Sequence, residues 1–243
     1  MGTQELTFYT TRGSPFAERV DIAFEEVGVH PTRYSIDLRN KPEWFLSKVN
    51  PKGEVPAIAY GGPKVAPENP SPESVKLAES LVLLEFVSEL YPNANLHPKD
   101  PVDRARARFF IDASTKITQF YSFILQPGTS PDEFIERLRS LQALLPPGGG
   151  WAVGPQFTIA DAAFAPFLGR IELFLRNGVG RYDPAEGKRV YELLFKSTEF
   201  ARLQQYWRDI AARPSFKASF DEADLLIYGR EWIKKKTGEN SSN

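Results

Sequence analysis

The sequence predicts a two-domain protein, an α/β unit followed by an all-helical unit, and three observations carry that expectation. Strand-like and helix-like segments alternate over the first ~90 residues. A stretch rich in turn formers, "YPNANLHPKDP" (91–101), then reads as a linker. Everything beyond it has helical period. At 243 residues the chain can build one large domain or two small ones.

The elements follow in order. "ELTFYT" (5–10) is a strand with Leu6 and Phe8 at period two. "PFAERVDIAFEEVG" (15–28) is a helix whose apolar stripe runs through Phe16, Val20, Ala23, Phe24 and Val27, and Gly28 is placed to end it. "TRYSIDL" (32–38) is a second strand, "PEWFLSKV" (42–49) a short helix and "VPAIAY" (55–60) a third strand. The proline-rich "GGPKVAPENPSPES" (61–74) is loop. "VKLA" (75–78) is a short fourth strand, and "SLVLLEFVSELYP" (80–92) is a helix stopped by Pro92. In the second half, 102–126 reads as one long amphipathic helix and 132–145 as another. A loop (146–157) precedes helices at 158–176, 188–196 and 200–213 and a C-terminal segment. The expected domains are 1–93 and 103–236, with 94–102 as linker and 237–243 as tail.

Composition narrows the function. A net charge of −1 favours neither nucleic acid nor an anionic membrane as partner. No apolar run reaches membrane-spanning length, and the start "MGTQELTFYT" has no signal-peptide pattern. There is no cysteine, which excludes disulfides, zinc–thiolate sites and protein-thiol chemistry and fits a cytoplasmic location. With only His30 and His97, no metal site is expected.

Three motifs admit a chemical reading, each with a purely structural one beside it, and a fourth is structural. In "TTRGSPFAERV" (10–20), Ser14 stands where a helix cap would and Pro15 suits the first helical turn; the question is whether Ser14 also does chemistry. In "EVPAI" (54–58), Pro56 is either a tolerated strand-start proline or a cis X-Pro that turns backbone groups outward to pair with an extended ligand. In "LAESLVLLEF" (77–86), Glu79 and Ser80 form a helix start, or they hold the ammonium and carboxylate of a ligand. "TIAD" (158–161) is a capping box in front of a buried helix, and structural. "GGG" (148–150) lacks the strand and helix of a phosphate loop, and "KKK" (234–236) is a solvated tail.

In this order, over almost the whole chain, the motifs resemble a glutathione transferase, and the omega class most closely. "SPFAERV" is similar to that class's C-P-F-A-E-R, and "NKPEWFLSKVNPKGEVP" (40–56) and "AESLVLLEFVSELYP" are similar to its next two blocks. The resemblance implies a thioredoxin-like N-terminal fold, a mixed four-stranded sheet with helices, followed by an all-α helical-bundle domain. It implies glutathione as co-substrate: Lys41 at the glycyl end, the Val55 backbone at the cysteinyl part, Glu79 and Ser80 at the γ-glutamyl end and Phe16 packed beside the tripeptide. One departure falls at the centre. The omega cysteine is replaced by Ser14, which cannot form a mixed disulfide but can donate a hydrogen bond to the glutathione sulfur, as serine does in other classes. The expected activity is attack of that thiolate on apolar or aromatic electrophiles, without thiol–disulfide exchange. The rival is a ligandin that binds aromatic or phenolic molecules with little turnover. The resemblance also places Pro15, Tyr121, Leu125 and Leu226 at a second-substrate site between the two halves, and implies a homodimer.

Overall fold

The computed structural model describes residues 4–236, so the expected tail lies outside the described residues. The chain divides into two compact units, Met1–His97 and Pro98–Asn243.

The first unit is a four-stranded sheet of order β2-β1-β3-β4, built from β1 (Leu6–Thr10), β2 (Thr32–Ser35), β3 (Ala57–Tyr60) and β4 (Val75–Ala78). β1 pairs parallel with β2 and antiparallel with β3, and β3 pairs antiparallel with β4, so the sheet is mixed as expected. Three helices complete it: α1 (Pro15–Val27), α2 (Glu43–Lys48) and α3 (Ser80–Leu90). Alternation along β1 sends successive side chains to opposite faces. Phe8 meets Phe24 of α1 edge-to-face at 5.3 Å, while Tyr9 packs against Tyr34, Trp44 and Phe45 on the other face. Both residues are fully buried, because β1 is an inner strand with helices on each side. Tyr9 also donates to Pro67 O at 2.8 Å, tying the proline-rich loop to the sheet.

The second unit is helical: α4 (Pro101–Thr115), α5 (Gln119–Leu125), α6 (Asp132–Leu144), α7 (Ile159–Arg176), α8 (Pro184–Lys196), α9 (Ala201–Ala212), α10 (Pro214–Ser219) and α11 (Glu222–Lys236). α7 is its axis, buried on every side from Ile159 to Leu175. The capping box is present: Thr158 Oγ1 accepts from Ala160 N at 3.2 Å, and Asp161 Oδ2 accepts from Thr158 N at 2.8 Å. Asp161 Oδ1 also accepts from Ala152 N and the Tyr206 hydroxyl, each at 2.8 Å. Asp161 is fully buried, and burial outweighs these bonds, pushing its carboxyl up to about 6.

Two element readings are corrected here. The single helix expected over 102–126 is broken by a 3₁₀ turn at Lys116–Thr118. Ser114 and Thr115 hydroxyls donate back to Ile111 O and Asp112 O, competing with the helical ladder where it ends. Helix α8 starts one turn before the expected 188, because Asp183 caps it by accepting from Ala185 N and Glu186 N and Pro184 fills its first position.

Candidate functional site

The first unit carries a cleft of about 420 Å³ at the ends of β1 and β3 and the starts of α1 and α3. It brings together Ser14, Phe16, Lys41, Val55, Glu79 and Ser80, with Leu38, Asn50, Gly53, Glu54 and Pro56. All six positions expected at a glutathione site thus line one cleft, although they are scattered over 67 positions of sequence, from 14 to 80.

Ser14 is the N-cap of α1, and its Oγ accepts from Ala17 N at 3.2 Å. The preceding Gly13 takes φ 77°, a conformation that lets the chain turn from β1 into the helix. A serine hydroxyl has one proton and two lone pairs. Capping uses a lone pair and leaves the proton to donate, so cap and donor are compatible roles for the one side chain.

Phe16 does not join the buried stripe of α1 that periodicity suggested. It is 44% exposed at the cleft, while Ala17, Val20, Ile22, Ala23 and Phe24 form the buried face.

The wall opposite is the segment 50–56. Asn50 is buried and holds the turn, donating from Nδ2 to Glu54 O at 2.9 Å and accepting at Oδ1 from Lys52 N at 3.2 Å. Gly53 has φ 66°, and a Cβ there would lie 2.7 Å from Leu46 Cδ2 and 2.9 Å from Lys41 Cδ. The Lys41 side chain therefore lies across Gly53, with its ammonium at the cleft. The Val55–Pro56 peptide is cis. Among the described residues no hydrogen bond engages the Val55 backbone N–H or C=O.

The third wall is the start of α3. Glu79 sits at the N-cap position with φ 73° and makes no capping bond. The Glu79 carboxylate pairs instead with Lys52 Nζ at 2.7 Å, and that bond raises the lysine's pKa. Ser80 opens α3 and is buried, and its Oγ accepts from Arg19 Nη1 at 3.1 Å. Asn50 and Gly53 line the cleft, and Arg19 and Lys52 bond to its lining residues Ser80 and Glu79; sequence reasoning left all four without roles, although they stand inside the quoted blocks "SPFAERV" and "NKPEWFLSKVNPKGEVP".

Of the second-substrate positions, Pro15 opens α1 in the first unit. The others belong to the second unit. Tyr121 on α5 packs edge-to-face on Trp232 of α11 at 5.8 Å, and Leu125 and Leu226 are half-buried on those two helices.

Among the described residues one group could offer metal ligands, Glu85, Glu89 and His97, whose ligand atoms lie within 4.8 Å of one another. His97 Nε2 and the Glu85 carboxylate are already bonded to each other. No helix among the described residues is long and apolar enough to cross a membrane.

Fold and cleft together define a thioredoxin-like domain with a cleft lined by polar and charged side chains, followed by a helical unit. Residues 13–90 match the family model of the glutathione S-transferase N-terminal domain. Among solved structures, glutathione transferase Omega 2C from Trametes versicolor is 47% identical with a TM-score of 0.89, covering 95% of this chain and 99% of that one. Omega 2S from the same fungus, solved in complex with 2,4-dihydroxybenzophenone, is 45% identical with a TM-score of 0.87, covering 94% and 99%. Mouse glutathione S-transferase omega-1 is 33% identical over 113 residues, so the match spans 46% of this chain and 42% of the mouse protein. The chain belongs to the glutathione transferase family and is omega-like.

Proposed function

We propose that the chain is a glutathione-dependent transferase in which the Ser14 hydroxyl donates to the glutathione sulfur and holds it as thiolate. The observation that carries this reading is the Ser14 geometry: its oxygen is committed to the helix cap and its proton is left for the cleft. A charge-assisted bond of about 1.5–3 kcal/mol, with the helix dipole, takes a thiol from near ~8.5 to about 7. The thiolate attacks an electrophilic carbon, forming an S–C bond as the leaving group departs with its electron pair, and the thiol proton passes to solvent. Lys41 takes the glycyl carboxylate, the Val55 backbone pairs with the cysteinyl residue, and Glu79 and Ser80 take the γ-glutamyl ammonium and carboxylate. Phe16 covers the peptide. With no cysteine anywhere in the chain, a protein–glutathione mixed disulfide has no donor, so thiol–disulfide exchange is not part of this chemistry.

Pro15 in the first unit, and Tyr121, Leu125 and Leu226 in the second, are second-substrate residues in this reading, and the Tyr121–Trp232 pair supports aromatic partners. The relative holding 2,4-dihydroxybenzophenone favours a second reading, a ligandin for phenolic aromatics with little turnover. The chain acts in the cytoplasm as a homodimer; Val102 and Phe109, seven apart on α4 and 57% and 63% exposed, supply apolar surface for a partner. Thermal shift with glutathione and with 2,4-dihydroxybenzophenone, followed by turnover of a chloronitrobenzene and an isothiocyanate, tests both readings. Stabilisation by both ligands with conjugation supports the enzyme. Stabilisation by both ligands, or by the phenolic ketone alone, without turnover supports the ligandin.

A further inference from the structure

Lys52 and Glu79 meet although 27 positions separate them. Lys52 Nζ lies 2.7 Å from Glu79 Oε1, and this bond raises the lysine's pKa, so the ammonium stays charged at neutral pH. Each partner is held from its own side. The Lys52 backbone N–H donates to the Oδ1 of buried Asn50 at 3.2 Å, and Gly53 N donates to Asn50 O at 2.8 Å, so the lysine stands on a closed turn. Glu79 precedes α3 at φ 73°, a left-handed conformation that is costly for a non-glycine residue, and its carboxylate caps nothing. The acid is left to meet a cation. Glu79 lines the cleft, and Lys52 reaches it from beside the cleft.

The proposed function gives Glu79 the ammonium of the ligand. Lys52 brings the same chemical group to the same carboxylate. Two oxygens let a carboxylate accept from two ammonium groups at once, so the lysine does not shut the ligand out. It lowers what a second ammonium gains, because the first has already neutralised the acid and the two cations repel. A ligand with no ammonium loses little, since Lys52 keeps Glu79 paired beside it.

We infer that Lys52 is a specificity-determining residue: its ammonium stands in for that of the ligand at Glu79 and opens the cleft to tripeptide thiols that lack a terminal ammonium. The charge of Lys52 also acts on the rest of the ligand, but it does so with or without the ligand's ammonium, so a ratio of two affinities removes that contribution. This inference rests on the proposed reading of the cleft as the glutathione site.

The experiment uses the full-length chain and two ligands, glutathione and glutaryl-cysteinyl-glycine, which lacks only the α-ammonium. Titration calorimetry gives the ratio of the two dissociation constants, analogue over glutathione, for wild type, Lys52→Gln, Lys52→Arg, Glu79→Gln and the double variant Lys52→Gln/Glu79→Gln. Both side chains of the pair are exposed, so the effect is a few-fold and none of these changes disturbs the core. Lys52→Gln raises the ratio about fivefold, and Lys52→Arg, which keeps the cation, leaves it within about twofold of wild type. In the Glu79→Gln background Lys52→Gln moves the ratio by less than about twofold, because the lysine acts through that carboxylate. An unchanged or lowered ratio in Lys52→Gln, a Lys52→Arg ratio equal to that of Lys52→Gln, or the full rise persisting without the Glu79 carboxylate would overturn the role. Wild-type protein that fails to bind glutathione would overturn the reading of the cleft itself, whereas binding with a ratio insensitive to Lys52 removes only the role of Lys52.

Discussion

Replacing Ser14 separates its cap role from the donor role proposed for it, because each uses a different part of the hydroxyl: the oxygen accepts from Ala17 N, and the proton takes no part in the cap. Aspartate at an N-cap accepts as well as serine does, so Ser14→Asp keeps the bond from Ala17 N and leaves stability within about 0.5 kcal/mol of wild type. It has no proton to donate at neutral pH and sets a negative charge against the thiolate. Ser14→Ala loses both roles: about 1 kcal/mol of stability with the cap, and 1.5–3 kcal/mol of thiolate stabilisation, roughly a 10- to 150-fold loss in kcat/KM. In Ser14→Asp the loss is larger, since two unit charges about 4 Å apart repel by about 4 kcal/mol at an intermediate dielectric. The measurements are thermal unfolding and the pH profile of kcat/KM for conjugation of a chloronitrobenzene. Wild type should show a limb near ~7 that moves towards ~8.5 in Ser14→Ala. The reasoning fails if Ser14→Asp conjugates at the wild-type rate, or if Ser14→Ala loses activity with no movement of that limb.

Three further outcomes follow from particular contacts. Gly187→Ala lies inside α8, where alanine ordinarily stabilises, yet its Cβ would stand 2.1 Å from Tyr182 Cε2. That ring cannot retreat, because Gly180 closes its other side, Phe123 stacks on it at 4.8 Å and its hydroxyl donates to Phe174 O, so Tm should fall by several degrees, from about 1–3 kcal/mol of overpacking; a rise in Tm would refute this. Gly53→Ala combines φ 66° with a clash against Leu46 and Lys41, and should weaken glutathione binding by about tenfold or more while the far-UV circular dichroism stays native; unchanged affinity would refute it. Asp161, raised from 3.8 to about 6 by burial, holds its proton more tightly in the folded than in the unfolded chain, so its contribution to stability falls as pH rises from about 4 to 6. The stability advantage of wild type over Asp161→Asn should shrink by about 2 kcal/mol across that window, read from denaturant midpoints, and a constant difference would contradict the assignment.

Much of this site was legible because its parts are local. Ser14 with Pro15, the capping box at Thr158–Asp161 and the helix stop at Gly28 each depend on backbone groups within a few residues, so residue type and spacing carry them. The break between α4 and α5 was hidden because apolar period continues across 116–118, and only the back-bonding of Ser114 and Thr115 interrupts the ladder. The start of α8 carried a readable Asp-Pro signal at 183–184. Phe16 was misjudged as stripe because periodicity reports a face without saying what that face meets. Arg19 and Lys52 were passed over because their partners lie 61 and 27 positions away.

The sequence alone determined the two-unit architecture, the strand and helix order and the chemical limit set by serine without any cysteine, since these follow from period, punctuation and composition. Tertiary structure decided which way each polar group faces. The Ser80 hydroxyl could have capped a helix or met a guanidinium, and Glu79 could have lain unpaired or joined Lys52; the choice belongs to the packing of α1 against α3 and to the turn at 50–53. Hydrogen-bond direction is a property of pairs, and pairs distant in sequence exist only once the chain has folded.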